Sequence, residues 1–144
     1  MQKVQTYANH RRWYPLFHFV LMPLLAINLL SHLFRFIMAP SWALFFWVVL
    51  SVALVLMALT ARLMVLKAQD RIIRLEERLR YREVLSAEVA KRADGLTLGQ
   101  MIALRFASDD ELAELIERTL NGEFSRGKEI KLAVRNWRAD YVRV

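Results

Sequence analysis

The sequence predicts an all-α protein: a transmembrane helical hairpin, its second span continuing into a long cytosolic helix, followed by about three short helices. Three observations carry this prediction. Between Tyr14 and Leu66 there are only two full charges, Arg35 and Arg62, whereas every Asp and Glu lies beyond Arg62. Trp42 to Ala61 is a charge-free run of 20 residues, the length a helix rising ~1.5 Å per residue needs to cross a hydrocarbon layer of ~30 Å. No proline or glycine falls between Ser41 and Asp94, so nothing local stops that helix at the end of its apolar run. The chain divides accordingly into a basic tail (1–15), a two-span hairpin (16–66) and a helical aqueous region (67–144).

The second span is the stronger of the two. Pro40 and Ser41 suit a helix start, Trp42 and Trp47 sit where an interfacial aromatic belt would lie, and Arg62 and Lys67 close the other end. Leu16 to Met38 is about as long but carries His18, Pro23, Asn28, Ser31, His32 and Arg35, so it inserts more readily beside a partner helix. It is too long for the apolar core of a signal peptide, and its one small-residue site, Ala39, is followed by Pro40. The link from Ala39 to Ser41 is so short that the helices must run antiparallel. Lys3, Arg11, Arg12, Arg62 and Lys67 then flank one side against Arg35 alone on the other, which makes both termini cytoplasmic by the positive-inside tendency.

Within the first span His18, Asn28, His32 and Arg35 share an arc of about 100°. Such a stripe either lines an ion or proton path, with the histidines titrating, or packs against neighbouring helices while its ends reach the interfaces. Packing is the simpler expectation, because no acidic residue occurs in either span and a proton relay normally uses a carboxylate. Ser51, Ala58 and Arg62 offer a narrow strip on the second span for this purpose.

Beyond the membrane, Val65, Ala68, Ile72, Leu75, Leu79, Arg82, Ser86 and Val89 follow a three-four spacing toward Arg92. The spacing suggests a short coiled coil or a docking face for the later helices, with Asp70–Arg74, Glu76–Arg80 and Glu88–Arg92 as surface pairs. Asp94 and Gly95 end the long helix. Thr97 with Gln100 forms a capping box that opens a helix over Leu98 to Ala107, and Ser108 with Glu111 forms a second box for DDELAELIERTLNG, which Gly122 stops. Ile130, Val134 and Trp137 mark a last amphipathic helix.

The net charge of +7 sits mainly in the tail and at the membrane flanks; from Arg62 onward 17 basic residues face 14 acidic ones. That balance argues against nucleic acid as a partner and for the bilayer, with Arg62, Lys67 and Arg71 placed for anionic lipid. With no cysteine, disulfides, thiolate metal sites and thiol redox chemistry are excluded. No catalytic, cofactor or metal-ligand spacing is present.

TYANHRRWYPLFH before the first span, LRFASDDEL from Leu104 to Leu112 and IKLAVRNWRADYVRV at the end resemble a bacterial family of small two-span membrane proteins known only as a domain of unknown function. The resemblance implies a bacterial inner-membrane location and carries no activity, cofactor or ligand. Gln5, Tyr7, Asn9, His10, Arg11 and Pro15 match its N-terminal motif; Arg105, Phe106, Asp109, Glu111, Trp137 and Asp140 match the C-terminal ones. Asn9, His10, Arg11, Arg105, Phe106, Asp109, Glu111, Trp137 and Asp140 are therefore a candidate interaction motif, with the tail docking on Asp109, Asp110 or Asp140 as the simplest role. The function expected is a non-enzymatic membrane-anchored interaction or self-assembly module, homo-oligomeric or bound to a protein partner. The alternative is a small oligomeric channel, transporter subunit or holin-like pore using the polar stripe, and more remotely a hydrolase built on His10 or His32.

Overall fold

The computed structural model describes residues 5–7, 9 and 13–140, and among these it is all-helical apart from a single isolated β-bridge. The chain divides into two compact units, Arg12–Leu66 on the one hand and Met1–Arg11 with Lys67–Val144 on the other.

In the first unit a π-helical segment, Leu16–Leu21, runs without a break into α1, Met22–Met38. The wide turn has a local cause. Pro23 has no N–H to give the preceding turn and its ring crowds the carbonyl four residues back, and a π turn relieves that clash. Ala39 leaves the helical conformation with φ −144° and ψ 79°, and the three residues Ala39–Ser41 reverse the chain. Ser41 Oγ then accepts the Leu44 N–H at 3.2 Å and caps α2, Trp42–Val84. From the turn outward, the hairpin is held by the Phe36–Phe45 rings at 6.2 Å, His32 stacked on Trp47 at 5.6 Å, Asn28 bonded to Ser51, and the Arg62 guanidinium 5.8 Å from the Phe17 ring. Residue numbers rise on one strand of the hairpin as they fall on the other, as antiparallel packing requires. Large apolar side chains point away from this seam, with Ile27, Phe34 and Phe46 all exposed by more than 60%.

The second unit packs α3 (Ala87–Ala93), α4 (Leu98–Leu104), α5 (Asp109–Leu120) and α6 (Gly127–Ala133) with the C-terminal part of α2. Its core contains Met101, Leu104, Ala107, Leu112, Ile116 and Ile130, all essentially inaccessible. Each large aliphatic side chain buried in this way contributes about 1.5–3 kcal/mol. Gly127 lets α6 approach α4 closely, since a Cβ there would stand 3.2 Å from the Gly99 carbonyl oxygen.

Several local expectations are corrected. α2 stops at Val84 rather than near Arg92, because Ser86 turns to extended backbone and its hydroxyl accepts the Val89 N–H at 3.4 Å, starting α3. Among the described residues four short helices therefore follow α2, in keeping with the expected run of about three, the extra one being the separated end of the long helix. The Thr97–Gln100 capping box forms as expected, with Gln100 N–H donating to Thr97 Oγ1 and Thr97 N–H to Gln100 Oε1. The Ser108–Glu111 box does not: Ser108 makes no side-chain cap, and Glu111 turns to other donors described below. α5 ends at Leu120 and Gly122 takes φ +81°, the conformation in which only glycine is unstrained. The last helix ends at Ala133, so Val134 and Trp137 lie beyond it, and Ala107 and Trp137 form the β-bridge. None of the surface pairs Asp70–Arg74, Glu76–Arg80 and Glu88–Arg92 closes to ion-pair distance; Arg80 and Arg92 reach acids on α5 instead. The stripe Ile72, Leu75, Leu79 is exposed; α2 presents Ile73, Glu77, Arg80 and Tyr81 to the core.

Candidate functional site

The C-terminal motifs converge on Arg80, which the sequence did not single out. Its side chain is 7% exposed. Nε donates to Asp109 Oδ1 at 2.8 Å, Nη2 to the Ala107 carbonyl at 2.7 Å, and Nη1 to Glu77 Oε2 at 3.2 Å. Asp109 begins α5 and its carboxylate also sits favourably at that helix N-terminus. Glu77 is nearly inaccessible and has a second cation, Arg138, at 3.5 Å. Burial nevertheless pushes the Glu77 carboxyl above its ordinary value, outweighing the attraction of Arg80, Arg138 and Arg105. Tyr81 on the next turn is raised as well, by burial first and by the Glu77 charge second.

Glu111 ties down the returning chain. Its two carboxylate oxygens accept the Arg135 and Asn136 backbone N–H groups, both at 3.0 Å. These are two charge-assisted bonds where a capping box would give the carboxylate one. Ser108 N–H donates to the Asn136 carbonyl at 3.0 Å and Arg138 N–H to the Phe106 carbonyl at 2.8 Å, completing a short extended pairing of residues 106–108 with 136–138. Phe106 is fully buried beside Trp137, with ring centroids 4.9 Å apart, and the Arg105 guanidinium lies 4.6 Å from its ring. Arg105 also pairs with Asp140 at 3.5 Å, and the Asp140 backbone N–H donates to Gln5 Oε1 at 2.8 Å. In the tail, Asn9 Oδ1 accepts the Thr6 N–H at 2.6 Å and forms a tight turn.

Arg105, Phe106, Asp109, Glu111, Trp137 and Asp140 are thus brought together, and Gln5 joins them. His10 and Arg11 lie outside the described residues. Gln5, Thr6, Ser108, Asp109 and Arg135–Arg138 line an open groove beside this cluster. Its lining combines Asp109, the guanidinium groups of Arg135 and Arg138, the amides of Gln5 and Asn136, the hydroxyls of Thr6 and Ser108, and Trp137. Among the described residues no group of three or more His, Asp or Glu stands together as a metal site.

Of the polar stripe, Asn28 and His32 face the hairpin seam. Asn28 Nδ2 donates to Ser51 Oγ at 2.8 Å, and Ser51 Oγ donates in turn to the Trp47 carbonyl at 2.8 Å. His32 stacks on Trp47, and His18 Nδ1 lies 3.0 Å from the Tyr14 carbonyl oxygen. Arg35 is exposed.

Fold and site together define a class: an all-helical protein with two helices long and apolar enough to cross a membrane, joined to a helical unit clasped by buried ion pairs. The chain belongs to the family of unknown function DUF6526, whose pattern matches residues 1–144. No curated protein and no solved structure matches it.

Proposed function

We propose that this protein is a non-enzymatic membrane-anchored module: the α1–α2 hairpin is the anchor and the helical unit is an aqueous part that binds a second copy or a protein partner. One observation carries the reading. The core of the helical unit is closed, yet the hairpin leaves Ile27, Phe34, Phe46, Leu56 and Met57 around 60% exposed. An apolar surface of that extent is stable against lipid, not water. A core helix of a soluble protein would be covered, and a cleaved leader would account for α1 alone. Because Gln5 and Asp140 are bonded within one unit, a hairpin that crosses a bilayer twice returns to the side it left. The basic residues Lys3, Arg11, Arg12, Arg62 and Lys67 support reading that side as the cytoplasm, and the membrane as a bacterial inner membrane.

The test is fractionation with alkaline extraction, combined with reporter fusions after Pro40 and after Val144. Retention in the membrane with a periplasm-dependent reporter active only after Pro40 supports the reading; release by alkali, or activity of that reporter only after Val144, refutes it. Against the pore alternative stands the engagement of Asn28 with Ser51 and of His32 with Trp47 within the hairpin itself.

A further inference from the structure

Resting on this membrane reading, we propose that Ala68, Ile72, Leu75 and Leu79 form the seam of a short, parallel, in-register coiled coil with the same face of a second copy of this chain. The face is apolar and uncovered: Ile72, Leu75 and Leu79 are 55%, 63% and 60% exposed. At 3.6 residues per turn it lies roughly 150° around α2 from the face of Ile73, Glu77, Arg80 and Tyr81 that holds the rest of the unit. The chain's own core therefore binds the opposite side of α2.

The flanking charges choose the occupant. With Ile72 and Leu79 at heptad position a, and Ala68 and Leu75 at d, Arg71 and Arg78 fall at g and Glu76 and Glu83 at e. In a parallel pair each g residue meets the e residue five positions on in the other helix. Arg71 then faces Glu76 of the second copy, Arg78 faces Glu83 of the second copy, and the symmetry repeats both pairs. An antiparallel arrangement would oppose arginine to arginine and glutamate to glutamate. Among the described residues Arg71, Glu76 and Glu83 form no ion pair within 4.0 Å, and Arg78 has only a 3.8 Å contact with the largely exposed Asp94. Ile at a with Leu at d favours two strands. The seam is only ~17 Å long, too short to hold two free helices in water. Two anchors crossing the bilayer in the same direction supply both the parallel orientation and a high effective concentration.

The protein has no cysteine, so single-cysteine variants of the full chain report this contact directly in native membranes. Oxidation is expected to give disulfide dimers with Ile72→Cys, Leu75→Cys and Leu79→Cys and at least fivefold less with Arg74→Cys, which points away from the seam. All four positions are exposed and tolerate substitution. On the Leu75→Cys background, Arg71→Glu is expected to lower the dimer yield about fivefold, from two pairs reversed per dimer, and adding Glu76→Arg to restore it. Equal yields at all four positions, no dimer, a crosslinked species of hetero-complex mass, or no rescue by the charge exchange would each overturn the proposal. Alkaline extraction of the same membranes separates the two failures: a retained chain that does not crosslink sinks the coiled coil alone, and a released chain sinks the anchor.

Discussion

Replacing Arg80 by methionine isolates the interaction on which the helical unit turns. The change keeps the aliphatic stem and removes the guanidinium from three acceptors. Asp109 is 60% exposed and returns to water at little cost. The Ala107 carbonyl and Glu77 do not. A buried carbonyl left without its donor costs about 1–3 kcal/mol, and the Glu77 carboxylate keeps only Arg138, itself 54% exposed, at 3.5 Å. Breaking a buried pair from one side costs about 3–5 kcal/mol in all, which for a unit of this size corresponds to a melting point ~15–30 °C lower. The assay is amide hydrogen exchange in α4 and α5 of the full chain in lipid nanodiscs, with thermal unfolding alongside. Glu77→Leu combined with Arg80→Met removes the stranded charge and is expected to recover about half of the loss, since the Ala107 carbonyl stays without its donor. The pH dependence gives an independent check. Burial already raises the Glu77 carboxyl, so its contribution to stability is complete below the ordinary glutamate range and is lost as pH climbs through the raised value. Arg80→Met raises it further, and the penalty of the substitution should shrink on acidification as Glu77 takes up a proton. A single variant within ~1 kcal/mol of the native protein, well short of the loss derived above, or a double variant no better than the single, would refute the reasoning.

Other substitutions follow from the same geometry. The Tyr81 hydroxyl is buried and has no hydrogen-bond partner among the described residues, so Tyr81→Phe should be neutral or stabilise by up to about 1 kcal/mol in thermal unfolding. Thr97→Ala removes a working cap and should cost about 1 kcal/mol, whereas Ser108→Ala, at a residue that looks like a cap but makes none, should change stability by less than about 0.5 kcal/mol. Asn28→Leu breaks the bond to Ser51 inside the hairpin and should cost about 0.6 kcal/mol, read by unfolding in mixed micelles, because Ser51 keeps its bond to the Trp47 carbonyl.

Much of this fold is legible in the sequence where the cause is local. The hairpin follows from apolar length and from Pro40 and Ser41, and the Thr97–Gln100 box closes because both partners lie within one turn. The parts that are not legible depend on distant donors. Ser108 and Glu111 have the same spacing as the working box, yet Glu111 finds two backbone N–H groups on residues 135 and 136 and abandons the cap. The break between α2 and α3 at Ser86 is hidden among helix formers, Leu85, Ala87 and Glu88. Arg80 escapes notice because Glu76 four residues earlier makes it look like half of a surface pair. The spacing of Ile73, Glu77, Arg80 and Tyr81 is itself helical, and an isoleucine and a tyrosine on one face with an i, i+3 acid–base pair is the signal that could have marked it. The apolar stripe of α2 fits a coiled coil or a docking face equally well in sequence; the core takes the more charged face, where Asp109, Ala107 and Arg138 satisfy its charges.

The bond from the Asp140 backbone to Gln5 spans 135 residues of chain. During synthesis, the tail meets its partner only after everything between has left the ribosome. The two apolar helices emerge long before that moment, while Gln5 still waits for Asp140. The clasp between Gln5 and Asp140 therefore forms only after the hairpin, the whole of α2 and the four short helices between them have been made.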